Sequence, residues 1–345
     1  MLSLRYHFNR VLLMLPLNDP LWKKLDDAHR DRDIPRLLFK LSEAWDDETA
    51  KSLFWDCLCH QGTCYGATYA AAPHLLKIAQ SDGNRHQRLE IALFAGFVVL
   101  CALKSRQDDQ SENQALPGLP ETPEEWNRKL DCYRSLVAKF ESPSRHISHY
   151  EGTELLPRYK EVLQLGTVGR ADIDQIKTIR VEFLSSLPMV SKTCEHAFLE
   201  NLQNENAMVP LLGGIAAAER HLDLGSLLYQ GQDGALRCTH CSWGYHYVLF
   251  GNQIALYAED GSPPISAAYA GTDSRLLLDI KEGAASRSDG FIVPAGDEKT
   301  LAPSTMRLLL LANRGQVPKP AVLLRNFLGS FRCRRCGTSV PICSV

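Results

Sequence analysis

The chain has 345 residues, of which 45% are hydrophobic and 23% are charged. This composition excludes an intrinsically disordered chain, because it supplies enough apolar surface to offset the entropy that is lost on folding. The formal net charge of -2 excludes a nucleic-acid-binding protein that is basic over its whole surface, although a local basic patch stays possible. The length fits two domains.

Neither a secretory signal nor a membrane span is predicted. The apolar stretch Val11–Leu17 lacks the length and the cleavage site of a signal peptide. The longest apolar run, Ile91–Leu103, is shorter than the roughly 20 residues that cross a bilayer. The 11 cysteines are an odd number in a chain much larger than disulfide-stapled secreted domains, which favours reduced thiols. We therefore expect a cytoplasmic protein.

Residues 1–234 have the spacing of helices, with apolar side chains three and four positions apart. Two helices flank the polar break His60–Thr63, and residues 105–121, polar and without period, are predicted to be an exposed loop. Thr122 and Glu125 then form the capping-box pattern of a helix that runs to about residue 140. Further helices are predicted over residues 85–104, 155–165, 173–187, 191–203 and 210–221.

Two of these segments resemble each other weakly. Ala72–Ala79 and Val209–Ala216 both contain a proline followed by a leucine pair and an Ile-Ala close. Stacked helix pairs often begin in this way, and a chance match between two helix starts is the alternative. We predict a mostly α protein whose helices stack as repeats.

Residues 235–345 are predicted to form a smaller α+β domain. Two β-prone runs, Tyr245–Phe250 and Gln253–Tyr257, are separated by Gly251 and Asn252, which is typical of a hairpin. Helices are predicted over residues 301–312 and 320–328.

A pair of CxxC motifs gives the sharpest chemical signal in the sequence. Cys238 and Cys241 form one pair, and Cys333 and Cys336, followed by a glycine, form the other. Four thiolates from two such turns make a closed tetrahedral zinc site of the zinc-ribbon type, with a structural role. Residues 242–332 separate the motifs, an unusually long insertion for a ribbon. The alternative is two pairs of free thiols; a redox role is disfavoured because neither pair opens a helix after a strand.

A second group of metal-binding residue types lies near the first helix break. It consists of Cys57, Cys59, His60, Cys64 and His74. Because Cys57 and Cys59 would point to different sides of a helix, we interpret these cysteines as buried small side chains, and His60 as a helix-ending residue. No familiar catalytic motif is present in the sequence, so we predict that the protein is not an enzyme, with an unfamiliar catalytic constellation as the alternative.

Residues His60–Leu76, with the sequence HQGTCYGATYAAAPHLL, resemble the signature of a bacterial family of HEAT-like repeat proteins. The helix Pro210–Arg220 and the first CxxC motif are also similar to features of its longer members. The resemblance implies that the stack of helices is HEAT-like and that the protein is an immunity protein, the partner of a type VI secretion effector that is a nuclease. The chain departs from the family in having less regular helix pairs and a long insertion between the CxxC motifs.

The resemblance implies that the protein neutralises a cognate toxin in the cytosol by protein–protein contact. Inhibitors of nucleases present carboxylates to a basic cleft, so the candidate contact residues are two acidic clusters. These are Asp46, Asp47 and Glu48 in one cluster, and Asp108, Asp109 and Glu112 in the other. A solvated polar face is the alternative for each of them. The alternative function is nucleic-acid binding or regulation through the basic residues of the second motif, Arg332, Arg334 and Arg335, although nucleic acid is the less favoured partner.

Overall fold

The protein is mostly helical and contains a few small sheets. The computed structural model describes residues 14–28, 33–60, 62–81, 84–104, 116–141, 156, 159–160, 163–164, 168–231, 233–250, 252–258, 291–293, 295–296 and 301–343. The chain divides into two compact units, Met1–Gly83 with Cys101–Met189, and Asn84–Leu100 with Val190–Val345. The sequence suggested a boundary after residue 234, and helices before that residue belong to the second unit.

Most of the described helices precede residue 232, and most of the described strands follow it. The helices are α1 (Ile34–Glu43), α2 (Asp47–Lys51), α3 (Gly66–Gln80), α4 (Arg85–Lys104), α5 (Pro123–Glu141), α6 (Arg170–Ser185), α7 (Leu187–Glu200), α8 (Glu205–Ala218), α9 (Leu222–Gln230), α10 (Pro303–Ala312) and α11 (Lys319–Phe327). The strands are β1 (Cys59–His60), β2 (Thr63–Cys64), β3 (Asp233–Arg237), β4 (Gly244–Phe250), β5 (Gln253–Ala258), β6 (Phe291–Val293), β7 (Ser330–Arg332) and β8 (Ser339–Pro341). A 3-10 turn covers Pro20–Lys23, and a π-helical turn covers Ser52–Leu58.

In the first unit, α3 is the central helix and is almost wholly buried. It packs against α1 and α6, and Tyr69 meets the ring of Phe183 edge-on at a centroid distance of 5.0 Å. The helix begins where the hydroxyl of Thr68 accepts a hydrogen bond from the Tyr65 backbone N–H at 2.9 Å. This cap satisfies a donor that the helix itself leaves unpaired.

The predicted helix break at His60–Thr63 is a small hairpin. α2 leads into the π-helical turn, and β1 then pairs with β2 so that Cys59 lies opposite Cys64. A helix pair joined by a plain turn was the prediction, and the backbone instead extends at Cys59, whose φ is -140°. The break is therefore a short strand pair that holds two cysteines side by side.

The helix predicted after Thr122 is confirmed as α5. The Thr122 hydroxyl accepts a hydrogen bond from the Glu125 N–H at 3.1 Å, and the Glu125 carboxylate accepts one from the Glu121 N–H at 2.7 Å. The loop before it is only partly as predicted. Residues 105–115 lie outside the described residues. Leu116 and Leu119 are only 2% exposed, because their apolar side chains are buried although the loop is otherwise polar. The prediction of an exposed loop is wrong for Leu116, Leu119 and Glu121, which are buried, and holds for Gly118, which is exposed.

The second unit is organised around the antiparallel hairpin of α8 and α9, against which α10 and α11 pack. The helix predicted from Pro210 begins five residues earlier, where the Asn204 side chain accepts a hydrogen bond from the Ala207 N–H at 3.3 Å. Similarly, α7 begins at Leu187 rather than Ser191. Most of the helix predicted over residues 155–165 lies outside the described residues. The described helices do not confirm a regular HEAT-like repeat.

The predicted hairpin is confirmed as β4 and β5, within an antiparallel sheet of order β3-β4-β5-β6. The ring of Tyr247 meets Phe327 of α11 edge-on at 5.3 Å, and Asn326 donates a hydrogen bond to the Asn252 carbonyl at 3.0 Å. These contacts hold one face of the sheet against the helices. The short hairpin of β7 and β8 follows α11.

Among the described residues, α4 is long and apolar enough to cross a membrane by length and composition alone. Most of its apolar stretch is buried inside the protein, as in the core helix of a soluble domain.

Two glycines allow α4 and α8 to approach closely within the second unit. A Cβ atom on Gly96 would lie 2.7 Å from the Gly214 Cα and 2.6 Å from the Tyr229 hydroxyl oxygen. We expect Gly96→Ala to lower the free energy of unfolding by about 1–2 kcal/mol, because overpacking against a backbone atom outweighs the helix propensity that alanine adds. Urea unfolding measures the change.

The control is Gly169→Ala, whose new Cβ would meet only Asp172 at 3.6 Å. Gly169 is the N-cap of α6, where alanine is less favourable than glycine, so we expect this variant to lower the free energy of unfolding by about 0.5 kcal/mol, less than Gly96→Ala does. Equal stability of Gly96→Ala and the unmodified protein would contradict the close packing of these two helices.

Candidate metal centre

The two CxxC motifs form the turns of two antiparallel hairpins. The first turn joins β3 to β4, where Arg237 pairs with Gly244, and the second joins β7 to β8, where Arg332 pairs with Ser339. In each case the first cysteine immediately follows a strand, so strand pairing sets the position of the turn.

The two turns have the same backbone hydrogen bonds. The Cys238 N–H donates to the Trp243 carbonyl at 2.8 Å, and the Cys333 N–H donates to the Thr338 carbonyl at 2.9 Å. The residue four positions after each of these cysteines, Ser242 or Gly337, donates its N–H back to the cysteine carbonyl at 2.8 Å. Both residues have a positive φ, 60° for the serine and 72° for the glycine. The motifs are therefore two copies of one turn, and a non-glycine residue takes the left-handed conformation in the first.

An arginine precedes each motif and supports its turn in the same way. The Arg237 guanidinium donates to the Ser242 carbonyl at 3.2 Å, and the Arg332 guanidinium donates to the Gly337 carbonyl at 2.9 Å. Both side chains thus bind the carbonyl of the left-handed residue. Each CxxC turn therefore has one arginine, with its positive charge, bound to it.

The four sulfur atoms converge on a point between the hairpins. The Sγ atoms of Cys238 and Cys336 are 3.9 Å apart, those of Cys241 and Cys333 are 3.7 Å apart, and all four lie within 4.8 Å of one another. A tetrahedral ion with metal–sulfur bonds of about 2.3 Å needs sulfur–sulfur separations of about 3.8 Å. Among the described residues this is the only group of three or more His, Cys, Asp or Glu side chains that converges in this way. The predicted four cysteines come together, and they can hold a metal ion.

Tyr245 connects the first hairpin to the second. Its hydroxyl donates to the Cys333 Sγ at 3.2 Å and accepts the Arg334 N–H at 2.9 Å. Its ring meets Phe331 edge-on at 5.1 Å. Outside the cluster, the guanidinium of Arg335 lies 4.5 Å from the centre of the Trp243 ring. The Tyr245 ring contact with Phe331 and its hydrogen bond from the Arg334 N–H join the two hairpins without using a sulfur atom, and its hydroxyl also binds the Cys333 sulfur.

The surroundings of Cys333 favour a thiolate. Burial raises the pKa of its thiol, but hydrogen bonds from the Tyr245 hydroxyl and from the backbone N–H groups of Cys336 and Arg335 outweigh this and lower the pKa to about 6. Hydrogen bonds from the Thr338 side chain and backbone also lower the pKa of Cys336. Donors directed at sulfur are what a coordinated thiolate requires.

The predicted acidic contact residues are only partly described. Asp46, Asp47 and Glu48 are exposed at the start of α2. Asp46 caps this helix by accepting the Thr49 N–H at 3.0 Å, and Asp47 accepts the Trp45 indole N–H at 2.6 Å. The hydrogen bonds of Asp46, first from the Thr49 side chain and then from its backbone, lower the pKa of Asp46. The second acidic cluster, Asp108, Asp109 and Glu112, lies outside the described residues.

The structure rearranges the second cysteine group. His74 lies away from the thiols and forms a 2.9 Å hydrogen bond with the Leu15 carbonyl. The Sγ atoms of Cys59 and Cys64 are 4.0 Å apart, and the thiol of Cys101, from the end of α4, interacts with both. Sequence analysis missed Cys101, which is distant in the chain. The spacing of Cys59 and Cys64 around Gln61-Gly62 was the signal that could have revealed their pairing, since such a turn closes a two-residue hairpin.

No protein-family model, curated protein or solved structure matches this chain. The geometry of the described residues therefore carries the interpretation of the site.

We expect the purified protein to contain one metal ion per chain, held by the four clustered cysteines. Cys336→Ser should reduce the metal content to less than about a tenth at equal protein concentration, because a neutral hydroxyl is a poor replacement for a thiolate on a soft or borderline ion. Elemental analysis after gel filtration measures the stoichiometry. Tetrahedral thiolate coordination can be checked from the absorption spectrum after Co²⁺ substitution.

The matched control is Cys132→Ser, since Cys132 is an exposed cysteine of α5 outside the cluster. It should keep full metal content. An unmodified protein without bound metal after purification and add-back under reducing conditions would contradict the assignment of this cluster.

Proposed function

We propose that the protein binds a cognate secreted toxin in the cytosol and blocks it by direct contact, without catalysing a reaction. The partner class that we propose is a nuclease effector of a type VI secretion system. The resemblance of residues His60–Leu76 to the HEAT-like immunity family supports this proposal. So does the mostly helical architecture, and we propose that its helices stack in the irregular manner of HEAT-like repeats.

The observation that carries the proposal is a set of exposed acidic and aromatic side chains in the first unit, on α1, α2 and the π-helical turn, three elements that contact one another. Two large apolar side chains are exposed there, with Phe39 of α1 at 57% and Trp55 of the π-helical turn at 39%. Around them in sequence lie the exposed carboxylates of Glu43, Asp46, Asp47, Glu48 and Asp56. We call this set of residues the acidic–aromatic surface.

The composition of the acidic–aromatic surface suits a basic protein partner. Tryptophan is enriched among residues that contribute most to binding, because it buries a large rigid area when a partner covers it. Surrounding carboxylates attract a positively charged cleft and orient it before contact. A nuclease has such a cleft because its substrate is a polyanion.

The metal centre supports a structural role in this function. We propose that its ion is zinc, because four thiolates at tetrahedral spacing match the ligand set and geometry of structural zinc sites. Four protein ligands leave no open coordination position for a substrate or an activated water molecule. The ion would hold the second hairpin against the first and would leave the binding surface to other residues.

The test measures binding to the purified toxin-like protein encoded by the neighbouring gene. Glu48→Lys should weaken binding at least about tenfold, because it replaces attraction to a basic cleft with repulsion. Trp55→Ala should have an effect of at least similar size, since truncation of a central aromatic residue costs about 2 kcal/mol or more. Calorimetric titration gives the affinity, and a nuclease assay gives the inhibition.

Glu124→Lys is the matched control, because Glu124 is an exposed carboxylate in the first turn of α5, as Glu48 is in the first turn of α2. Its effect on the helix dipole is the same, and its effect on binding should be less than about twofold. Absence of binding by the unmodified protein would contradict the proposed function. Equal losses for the two charge reversals would contradict the proposed surface.

A second candidate function rests on the charge of the two metal-centre hairpins. Their described residues, 233–250 and 328–343, contain four arginines and a single acidic residue, Asp233 at the start of β3. The arginines are Arg237, Arg332, Arg334 and Arg335. Arg335 lies over the indole ring of Trp243, 4.5 Å from its centre. Arginines next to an aromatic ring favour single-stranded nucleic acid as the ligand.

If these hairpins bind nucleic acid, affinity for a single-stranded oligonucleotide should fall about 50-fold between 50 and 200 mM salt, as expected when about four phosphates are neutralised. The double variant Arg334→Ala with Arg335→Ala should weaken binding and reduce the salt dependence. A gel-shift titration decides between the candidates. Oligonucleotide binding without toxin binding would favour the second one.

A further inference from the structure

Three thiols meet in the first unit, outside the metal centre and outside the acidic–aromatic surface. Cys59 lies on β1, Cys64 lies on β2, and Cys101 lies near the end of α4. Cys59 and Cys64 are 2% and 3% exposed, whereas Cys101 is half-buried. None of these residues has a role in the functions proposed above.

The hairpin sets Cys59 and Cys64 at a position where a disulfide can form. Two residues separate His60 from Thr63, so these two form the hydrogen-bonded pair that closes the turn, and Cys59 and Cys64 form the next, non-hydrogen-bonded pair. In such a pair the Cα atoms approach to about 4.5 Å, which lies within the range that disulfides span. Both side chains are buried on one face of the hairpin, with their Sγ atoms 4.0 Å apart.

We propose that Cys59 and Cys64 form a reversible disulfide when a small peroxide oxidises the protein, with Cys59 as the attacking thiolate and Cys64 as the resolving thiol. Closing the bond requires the distance between the two Sγ atoms to fall from 4.0 Å to about 2.0 Å. The backbone pairing is already in place, so side-chain rotation supplies most of this movement. The inference is independent of the partner and of the metal.

The reaction balances in two steps. The Cys59 thiolate attacks one oxygen of hydrogen peroxide, the O–O bond breaks, and the leaving hydroxide takes a proton to become water, which leaves a sulfenic acid on Cys59. The Cys64 sulfur then attacks the Cys59 sulfur, the S–O bond breaks, and the hydroxyl leaves as water with the proton of the Cys64 thiol. Two thiols are oxidised by two electrons, and one peroxide is reduced to two water molecules.

The surroundings of the two sulfur atoms support these roles. Hydrogen bonds from the Cys101 and Cys64 thiols, and another from the Gly62 N–H, lower the pKa of Cys59 to about 4 despite its burial. The electrostatic interaction with the nearby His60 also lowers the pKa of Cys59. Hydrogen bonding to Cys101 and Cys59, together with burial, raises the pKa of Cys64. One sulfur therefore carries the charge, and the other keeps the proton that the second step needs.

A small oxidant has a short path to this pair. Gly62 and Thr63, which lie at the turn of the same hairpin, are exposed, and His60 is half-buried. Each buried thiol is therefore next in sequence to a residue that solvent reaches, His60 for Cys59 and Thr63 for Cys64. Cys194 is a useful contrast, because it is 0% exposed and donates its S–H to the Ala92 carbonyl at 3.3 Å. Burial raises the pKa of Cys194 to about 12, so its thiol stays protonated.

The experiment exposes the metal-loaded full chain to hydrogen peroxide, blocks free thiols with iodoacetamide and analyses tryptic peptides by mass spectrometry. Peptide 52–77 contains Cys57, Cys59 and Cys64, and it should lose two hydrogens and regain them on reduction with dithiothreitol. Its oxidation should exceed that of the Cys194 peptide at least about tenfold. The metal-centre cysteines lie on other peptides and do not interfere.

Variants assign the bond to the proposed pair. Cys64→Ser should stop the reaction at a sulfenic acid on Cys59 that dimedone traps, and Cys59→Ser should abolish oxidation of the peptide. Cys57→Ser is the matched control, since Cys57 is an equally buried neighbour on the same peptide, and it should leave the disulfide unchanged. Loss of the disulfide in Cys57→Ser would overturn the assignment.

The pH profile of the unmodified protein gives a readout that needs no variant. Because the lowered pKa of Cys59 leaves it ionised above about pH 5, its initial oxidation rate should change less than about twofold between about pH 6 and pH 8. A thiol of ordinary pKa would instead react about tenfold faster for each pH unit in this range. A tenfold rise per unit, or a peptide 52–77 that keeps both hydrogens, would overturn the proposal.

Discussion

The convergence of four cysteine sulfurs between two hairpins is the constraint on which the second unit depends. The motifs are separated by residues 242–332, and closing a loop of this length costs about 4 kcal/mol in chain entropy. A tetrathiolate metal site contributes about 10–16 kcal/mol of apparent binding energy in small zinc domains, which exceeds that cost. The insertion, whose described residues include strands and the helices α10 and α11, can therefore be accommodated without releasing the second hairpin from the first.

Charge connects the metal centre to the surface around it. Four thiolates on a divalent ion carry a net charge of about -2. Arg237 and Arg332, which occupy equivalent positions before the two motifs, supply two positive charges close to this site. Part of the arginine content of the hairpins thus has a structural cause. The variants proposed for a nucleic-acid role are confined to Arg334 and Arg335, so that the contacts of Arg237 and Arg332 with the two turns are kept.

The features predicted from the sequence were those determined by neighbouring residues. The turn pattern of Cys238–Trp243, the hairpin around Asn252 and the cap at Thr122 each depend on a few consecutive side chains, and the structure confirms them. The burial of Leu116 and the position of Cys101 beside Cys59 depend on packing between distant segments. No local period encodes such packing, so sequence analysis could not identify these contacts.

The two cysteine clusters differ in geometry, and this difference separates their chemistry. In the metal centre, four sulfurs come from two identical turns, and N–H donors are directed at them. Cys59, Cys64 and Cys101 come from a hairpin and a helix and supply three sulfurs rather than four, and Cys59 and Cys64 lie opposite each other on paired strands with their Sγ atoms 4.0 Å apart. A metal ion needs all of its ligands at one distance from a common point, whereas a disulfide needs only two sulfurs and a suitable backbone separation. The hairpin satisfies the second requirement, which is why oxidation rather than metal binding is the chemistry that we assign to it.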